Sequence, residues 1–282
     1  MPTLILLGGG FEALPILERA RDIGLRTVVV DGSPLAPGFA LADRCAVVSC
    51  YHAEQAIPEL EKVGETYHAV LCAATDAPHV AAAVAQAFGL PGLTVEKAAL
   101  GADKVKQSLA LHRMGIPCPK FFEPRTFFPV AFESVIKPVD SRGGRGVVRL
   151  LPDVDPAWAY EQAKAQSPTG RVMVEEWLSG PQFSTESIVQ DGKVLFTAVG
   201  LRNYDRLDEY APYVIEDGFD SGQEIIISGS TLMNREIACG ILVEKSCRAL
   251  GWYQTGGGTV KGDLVIHDGK FYVIELAARL SG

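Results

Sequence analysis

"VIKPVDSRGGRGVV", residues 135–148, runs from an apolar strand through a lysine and a proline into a loop of glycines and arginines, then into a second strand. Lys137 lies on the first strand, Pro138 stops regular pairing, and Ser141, Arg142, Gly143, Gly144 and Gly146 make a flexible loop. Glycine-rich backbone turns its N–H groups over phosphates, and a lysine fixed on a strand supplies a point charge beneath them. The spacing is not that of a Walker A loop, which runs G-x-x-x-x-G-K-[ST] into a helix, because here a strand follows. An ordinary β-hairpin would also carry such residues.

Upstream, "TLILLG" (3–8), "EALPILERARDIG" (12–24) and "RTVVVD" (26–31) read as strand, helix and strand. "HAVLCAATD" (68–76) adds a buried strand and "APHVAAAVAQAFG" (77–89) an Ala-rich helix, so the first ~95 residues predict a small parallel α/β layer. Gly8, Gly10 and Ala13 form a G-x-G-x-x-A array with Asp31 ending the second strand. That array suits a dinucleotide, which would make the chain a nicotinamide-dependent oxidoreductase, or simply a tight strand-to-helix turn.

Downstream, "TVEKAALGADKVKQSLALHRMG" (94–115) predicts one or two helices, closed by Gly115 and the proline-rich "IPCPKFFEP". The pattern from Phe121 to about Leu178 is β-rich around one helix, "DPAWAYEQAKAQ" (155–166). "VMVEEWLSG" (172–180) reads as a strand with two acids at its end and a break at Gly180, suited to a hinge whose backbone reads an adenine edge. Hairpins are expected at Asp191-Gly192 and Asp268-Gly269, since Asp-Gly accepts the positive φ of a two-residue turn. Between them lie a polar loop (201–224) and a helix near 230–250. On the last hairpin Asp263 and Glu275 face each other, with Arg279 just beyond. Two carboxylates on adjacent strands suit a hard cation, and Mg²⁺ usually needs only one or two plus phosphate oxygens. Two exposed acids on a solvated face would look the same.

Composition narrows the class. The net charge of −8 argues against general nucleic-acid binding, which needs clustered Lys and Arg. No apolar run approaches the roughly 18 residues of a membrane span. "MPTLILLGGG" reads as a first strand and not as a leader, so a cytoplasmic location is expected. Six cysteines without a C-x-x-C pair are expected to be small buried hydrophobes, and the five histidines show no zinc-ligand spacing.

The order of these motifs resembles the ATP-grasp ligases, of the carboxylate-amine ligase type. "DKVKQSLALHRMGIPCP" is similar to the segment carrying the family's first nucleotide lysine, "VIKPVDSRGGRG" to the second lysine and phosphate loop, "VEEWLSG" to the adenine hinge, and "GDLVI…FYVIELAARLSG" to the metal hairpin. "VDGSPLAPGFALAD" resembles a stretch of the pre-grasp domain of purine-biosynthetic members, a domain shared with carbamoyl-phosphate-synthase-like and biotin-carboxylase-like relatives. The resemblance implies an α/β chain. A Rossmann-like parallel pre-grasp layer (1–98) would precede an α+β ATP-grasp fold (99–282), with a mobile lid (about 119–178) and a core (about 179–282).

It further implies that Lys104 and Lys137 hold ATP phosphates under the Ser141–Gly146 loop, and that Glu175, Glu176, Trp177 and Leu178 line the adenine hinge. Gln182 falls near a ribose-binding position, Glu186 supports the site, Asp263 and Glu275 bind Mg²⁺, and Arg279 clamps a phosphate or substrate carboxylate. The implied reaction joins a small carboxylate to an amine through an acyl-phosphate, releasing ADP, in an enzyme that is often a dimer. Two departures stand out. The family ending E-x-N-x-R reads Glu275-Leu276-Ala277-Ala278-Arg279, so alanine replaces an amide ligand, with water or a phosphate oxygen left to fill the gap. Relatives also continue past "RLSG", implying a truncated chain or a compact member. A nucleotide-binding protein without ligase activity is the alternative within the same fold. The arginines of "LRNYDRLDEYAPY" (201–213) receive no role.

Overall fold

A computed structural model describes residues 1–72, 75–124, 132–141, 143–221 and 235–281. It begins with β1 (Thr3–Leu7), α1 (Leu14–Asp22), β2 (Arg26–Asp31), β3 (Arg44–Val47), α2 (Ala53–Val63), β4 (Ala69–Cys72) and α3 (Pro78–Phe88). The four strands form a parallel sheet in the order β3-β2-β1-β4. Both faces of that sheet are covered, which is why its strands read as unbroken apolar runs. Leu6 and Val29 pack on Leu17 of α1, whereas Ile5, Leu7, Val28 and Val30 pack on Ala56 and Leu60 of α2 and Val80 and Val84 of α3.

Two helices lead onward, α4 (Val95–Ala99) and α5 (Lys104–Arg113). Asp103 caps α5, accepting from the Lys106 N–H at 3.0 Å, and so fixes where Lys104 leaves the helix start. Then β5 (Phe121–Phe122), β6 (Ser134–Pro138), β7 (Val148–Leu150), α6 (Pro156–Ala165) and β8 (Val172–Glu176) build an antiparallel sheet ordered β5-β8-β6-β7. Its small core sets Ile136, Val148, Val172 and Val174 against Ala159 and Ala163 of α6.

The remainder forms an antiparallel sheet of β9 (Gln182–Gln190), β10 (Lys193–Asn203), β11 (Gly218–Ser221), β12 (Gly257–His267) and β13 (Lys270–Ala277), in the order β11-β10-β9-β12-β13. A short helix α7 (Leu207–Tyr210) precedes β11, and α8 (Arg235–Leu250) follows it. α8 buries Cys239, Val243 and Cys247 against Phe183, Val260 and Leu264. Trp252, fully buried, donates its indole N–H to the Lys97 carbonyl at 2.7 Å and so ties this core to α4. Both Asp-Gly turns adopt positive φ, 49° and 72° at Asp191-Gly192 and 49° and 73° at Asp268-Gly269.

Two expectations change. The polar stretch 201–224 is no simple loop: β10 continues through Asn203, because Leu201 and Arg202 pair with Asp220 and Phe219 of β11. Part of that stretch, and the beginning of the helix expected near 230, lie outside the described residues. Cys45 is exposed, on the outermost strand of the parallel sheet, whereas the other five cysteines are buried. Among the described residues no helix is long and apolar enough to cross a membrane.

Candidate functional site

A cavity of about 590 Å³ lies between the two antiparallel sheets and the start of α5. Lys104 enters it from the first residue of α5, with its ammonium 2.7 Å from the Ser141 carbonyl and 3.5 Å from a Glu275 oxygen. Lys137 enters from β6, only 5% exposed, and donates to Glu175 of β8 at 2.6 Å. The β6–β8 ladder pairs Val135 with Glu175 and Lys137 with Met173, so the two charged residues are diagonal neighbours on one face. Burial raises the Glu175 carboxyl, and the Lys137 ammonium opposes that rise.

Ser141, Gly143, Gly144 and Gly146 line the cavity, the three glycines with φ of 62°, 68° and 74°. L side chains rarely adopt that left-handed backbone, which is the physical reason the stretch is written in glycine. Arg142 lies outside the described residues. Along the hinge, Glu175, Glu176, Trp177 and Leu178 line the cavity, as does Gln182 at the start of β9. The Arg149 guanidinium lies 4.6 Å over the Trp177 ring. Glu176 is half-buried; that desolvation acts to raise its carboxyl, but the Lys120 backbone N–H and ammonium bonds outweigh it and hold the carboxyl below its ordinary value.

On the last hairpin Asp263 stands in register with Glu275, and both line the cavity. Glu275 keeps 36% of its side chain exposed and lies 3.5 Å from the Lys104 ammonium. Burial acts to raise its carboxyl, but Lys104, Lys137, Lys261 and Arg202 overcome this and hold it far below the usual carboxylate range. Asp263 is different. The Lys261 ammonium lies 2.7 and 2.8 Å from its two oxygens, and an Arg202 nitrogen lies 2.9 Å from one of them. A hard cation therefore fits Glu275, whose oxygens face the cavity, better than Asp263, whose oxygens already hold two cations. Among the described residues no three His, Cys, Asp or Glu side chains cluster as a metal site.

Two expected residues lie elsewhere. Glu186 does not line the cavity; it accepts from the Ser281 N–H at 3.0 Å and from the Ser281 hydroxyl. Arg279 also lies off the cavity, donating to Asp76 at 3.0 Å and to the Leu280 carbonyl at 2.8 Å, so it joins the end of β13 to the loop after β4. Asp31, the acid of the dinucleotide alternative, accepts from the N–H groups of Gly9 and Ser33, both at 2.8 Å, and so braces its own turn.

Arg202, Tyr204 and Glu216, residues without an expected role, line the cavity from β10 and the stretch before β11. Arg202 spans Asp263 and Glu216, donating from Nε to Glu216 at 2.9 Å. Burial, with smaller contributions from Glu216 and Asp263 and against the pull of Arg202, pushes the Tyr204 phenol up to about 12. Their signal was period two: Arg202 and Tyr204 alternate after the apolar "TAVGL", as residues on one face of a strand do.

Comparison with known proteins agrees with this geometry. A family model described as an ATP-grasp domain matches residues 101–282. The formate-dependent phosphoribosylglycinamide formyltransferase of Burkholderia thailandensis is 28% identical over 183 residues, 61% of this chain and 45% of that protein. The chain thus spans about half the length of the curated relatives it matches. The crystal structure of L-amino acid ligase from Bacillus licheniformis superposes with a TM-score of 0.75 at 23% identity, covering 99% of this chain and 67% of that one. N5-carboxyaminoimidazole synthetase from Staphylococcus aureus, complexed with ADP, gives 0.75 at 14% identity, covering 99% and 70%. With the family model covering well over half of its length, and the two lysines, glycine loop and paired carboxylates gathered around one cavity, the chain belongs to the ATP-grasp family.

Proposed function

We propose that the chain is an ATP-dependent ligase that activates a small carboxylate as an acyl-phosphate and joins it to an amine, releasing ADP and phosphate. The observation that carries this reading is the convergence of Lys104, Lys137 and the Ser141–Gly146 loop on one cavity with Glu275. The relatives fit: an L-amino acid ligase and a formate-dependent formyltransferase both handle a carboxylate.

In this reading the adenine lies along Glu175–Leu178 and the phosphates run toward Lys104 and Lys137, with Gln182 beside the ribose. A carboxylate oxygen of the substrate attacks the γ-phosphorus, and the bond to the bridging oxygen breaks with its electron pair leaving on ADP. The amine nitrogen then attacks the acyl carbon, phosphate departs, and the nitrogen gives up a proton. Lys104 and Lys137 neutralise charge on the transferring group, and the glycine loop excludes water from the acyl-phosphate. A magnesium ion bound at Glu275 and the phosphates would supply further charge stabilisation. Arg202 lines the same cavity with its guanidinium already paired to Asp263 and Glu216, and so fixes those two carboxylates at the site.

Thermal unfolding with Mg-ATP tests the site. A ligand held only by the native state adds RT ln(1 + [L]/Kd), about 2.7 kcal/mol at one hundred times Kd. A shift that weakens without Mg²⁺, followed by ADP release that depends on a carboxylate and an amine, is expected. No shift at millimolar Mg-ATP would overturn the reading.

A further inference from the structure

The acidic pair on the last hairpin carries its own cation. Lys261 and Asp263 are two residues apart on β12, so their side chains leave the same face, and the ammonium lies 2.7 and 2.8 Å from the two Asp263 oxygens. The ladder sets Ala277 directly across from Lys261, just as it sets Glu275 across from Asp263. The position without any donor atom thus faces the one that brings an ammonium. Arg202 contacts an Asp263 oxygen at 2.9 Å, and Asp263 is only 5% exposed.

This arrangement works against a second divalent ion. Mg²⁺ sheds its water reluctantly and demands close oxygen donors in near-octahedral geometry. A buried carboxylate already in contact with a lysine and an arginine offers it few free lone pairs, and two fixed positive charges repel a third. Nucleotide phosphates are commonly clamped by two divalent ions. Here one of those charges is built into the strand.

We propose that Lys261 is a resident counter-cation that takes the place of one divalent ion, so that a bound nucleotide comes with a single metal ion held on the protein side by Glu275. The inference rests on the ATP-site reading above. Lys261 acts through Asp263 and is a positioning residue: it fixes the carboxylate and the local charge, and the vacancy left by the missing amide at Ala277 needs neither water nor a phosphate oxygen to fill it.

The test counts Mn²⁺ by electron paramagnetic resonance in the full chain saturated with the β,γ-imido analogue of ATP. One Mn²⁺ per bound analogue is expected for the wild type and for Lys261→Arg. Two are expected when Lys261→Ala is combined with Ala277→Asn, which frees Asp263 and restores an amide oxygen across the ladder. Two ions in the wild type, or one in a folded double variant, would overturn the inference while leaving the ATP site standing. Should the double variant fail to fold, Lys261→Met alone is counted instead: a second Mn²⁺ is expected, and one per bound analogue would overturn the inference. Failure of the wild type to bind the analogue at all would overturn the ATP-site reading, and this inference with it.

Discussion

Gln107 and Leu276, 169 residues apart, exchange two buried hydrogen bonds: the Gln107 amide donates to the Leu276 carbonyl at 2.8 Å and accepts from the Leu276 N–H at 2.7 Å. Among the described residues β13 is the edge of its sheet, so these backbone groups have no strand beyond them, and the side-chain amide of α5 serves as that missing neighbour. Gln107 lies one turn from Lys104, and Leu276 adjoins Glu275. The pair therefore sets the Lys104–Glu275 separation of 3.5 Å.

Gln107→Leu should unfold more easily by about 2–6 kcal/mol, since it orphans two buried backbone groups at about 1–3 kcal/mol each. Urea denaturation measures the loss. Nucleotide affinity should fall with it, because α5 and β13 lose their common anchor. A variant as stable as the wild type would show that the bonds contribute nothing net.

Asp103 accepts from Arg171 at 2.6 Å as well as capping α5. Burial acts to raise its carboxyl, but the Arg171 bond and the Lys106 N–H outweigh it, so the folded pKa lies below the ordinary value. A depressed acid stabilises the fold above its unfolded pKa, about 3.9, and loses that contribution as pH falls through the folded value. Asp103→Asn keeps a good cap and removes only the charge. It should cost about 1.5–3 kcal/mol at pH 7, the range for a charged hydrogen bond, and the difference from wild type should shrink below about pH 4. A difference independent of pH would sink the argument.

Gly180 breaks the chain between the hinge and β9 with φ of +136°, and a Cβ there would sit 2.0 Å from the Ile266 carbonyl oxygen. Backbone is what it meets, so no rotamer change relieves the contact. Gly180→Ala should cost on the order of 3 kcal/mol or more, strain plus displacement of β12. Gly24→Ala is the control: φ is +75° and nothing lies within 4 Å, so only about 1–2 kcal/mol of left-handed strain is expected. Equal melting shifts in the two variants would show that the close approach is relieved elsewhere.

How much of this was legible depended on whether a signal was local. The parallel layer was readable because Ile5 to Leu7 and Val28 to Val30 are buried on both faces, and both Asp-Gly turns because two residues fix their own φ. Lys104, Lys137, the glycine loop and the hinge could be gathered because each sits at the end of a readable element. Arg202 could not, since its meaning comes from Asp263 and Glu216 on other segments. Arg279 shows the converse: motif order implies a clamp on a phosphate or substrate carboxylate, whereas its bond to an aspartate 203 residues away has no signal in the sequence. Lys261 lay in plain view two residues before Asp263, yet a lysine on a strand reads as solvated until its partner is known.

Lys137 and Glu175, 5% and 3% exposed and 2.6 Å apart, allow structure and function to be separated. Breaking a buried pair from one side leaves an uncompensated charge and typically costs about 3–5 kcal/mol. Lys137→Met should therefore destabilise strongly at pH 7. Burial already raises the Glu175 carboxyl, and without the ammonium nothing comparable opposes that rise. A raised acid favours the folded state below its unfolded pKa and loses that advantage as pH rises, so the variant should recover stability relative to wild type on acidification. Adding Glu175→Gln removes the orphaned charge and should restore most of the stability at pH 7. On the proposed ATP-site reading it should not restore ADP release, because the ammonium facing the phosphates is still absent. Urea denaturation and an ADP-release assay on the same preparations separate the effects: turnover in the stabilised double variant would reduce Lys137 to a structural partner of Glu175.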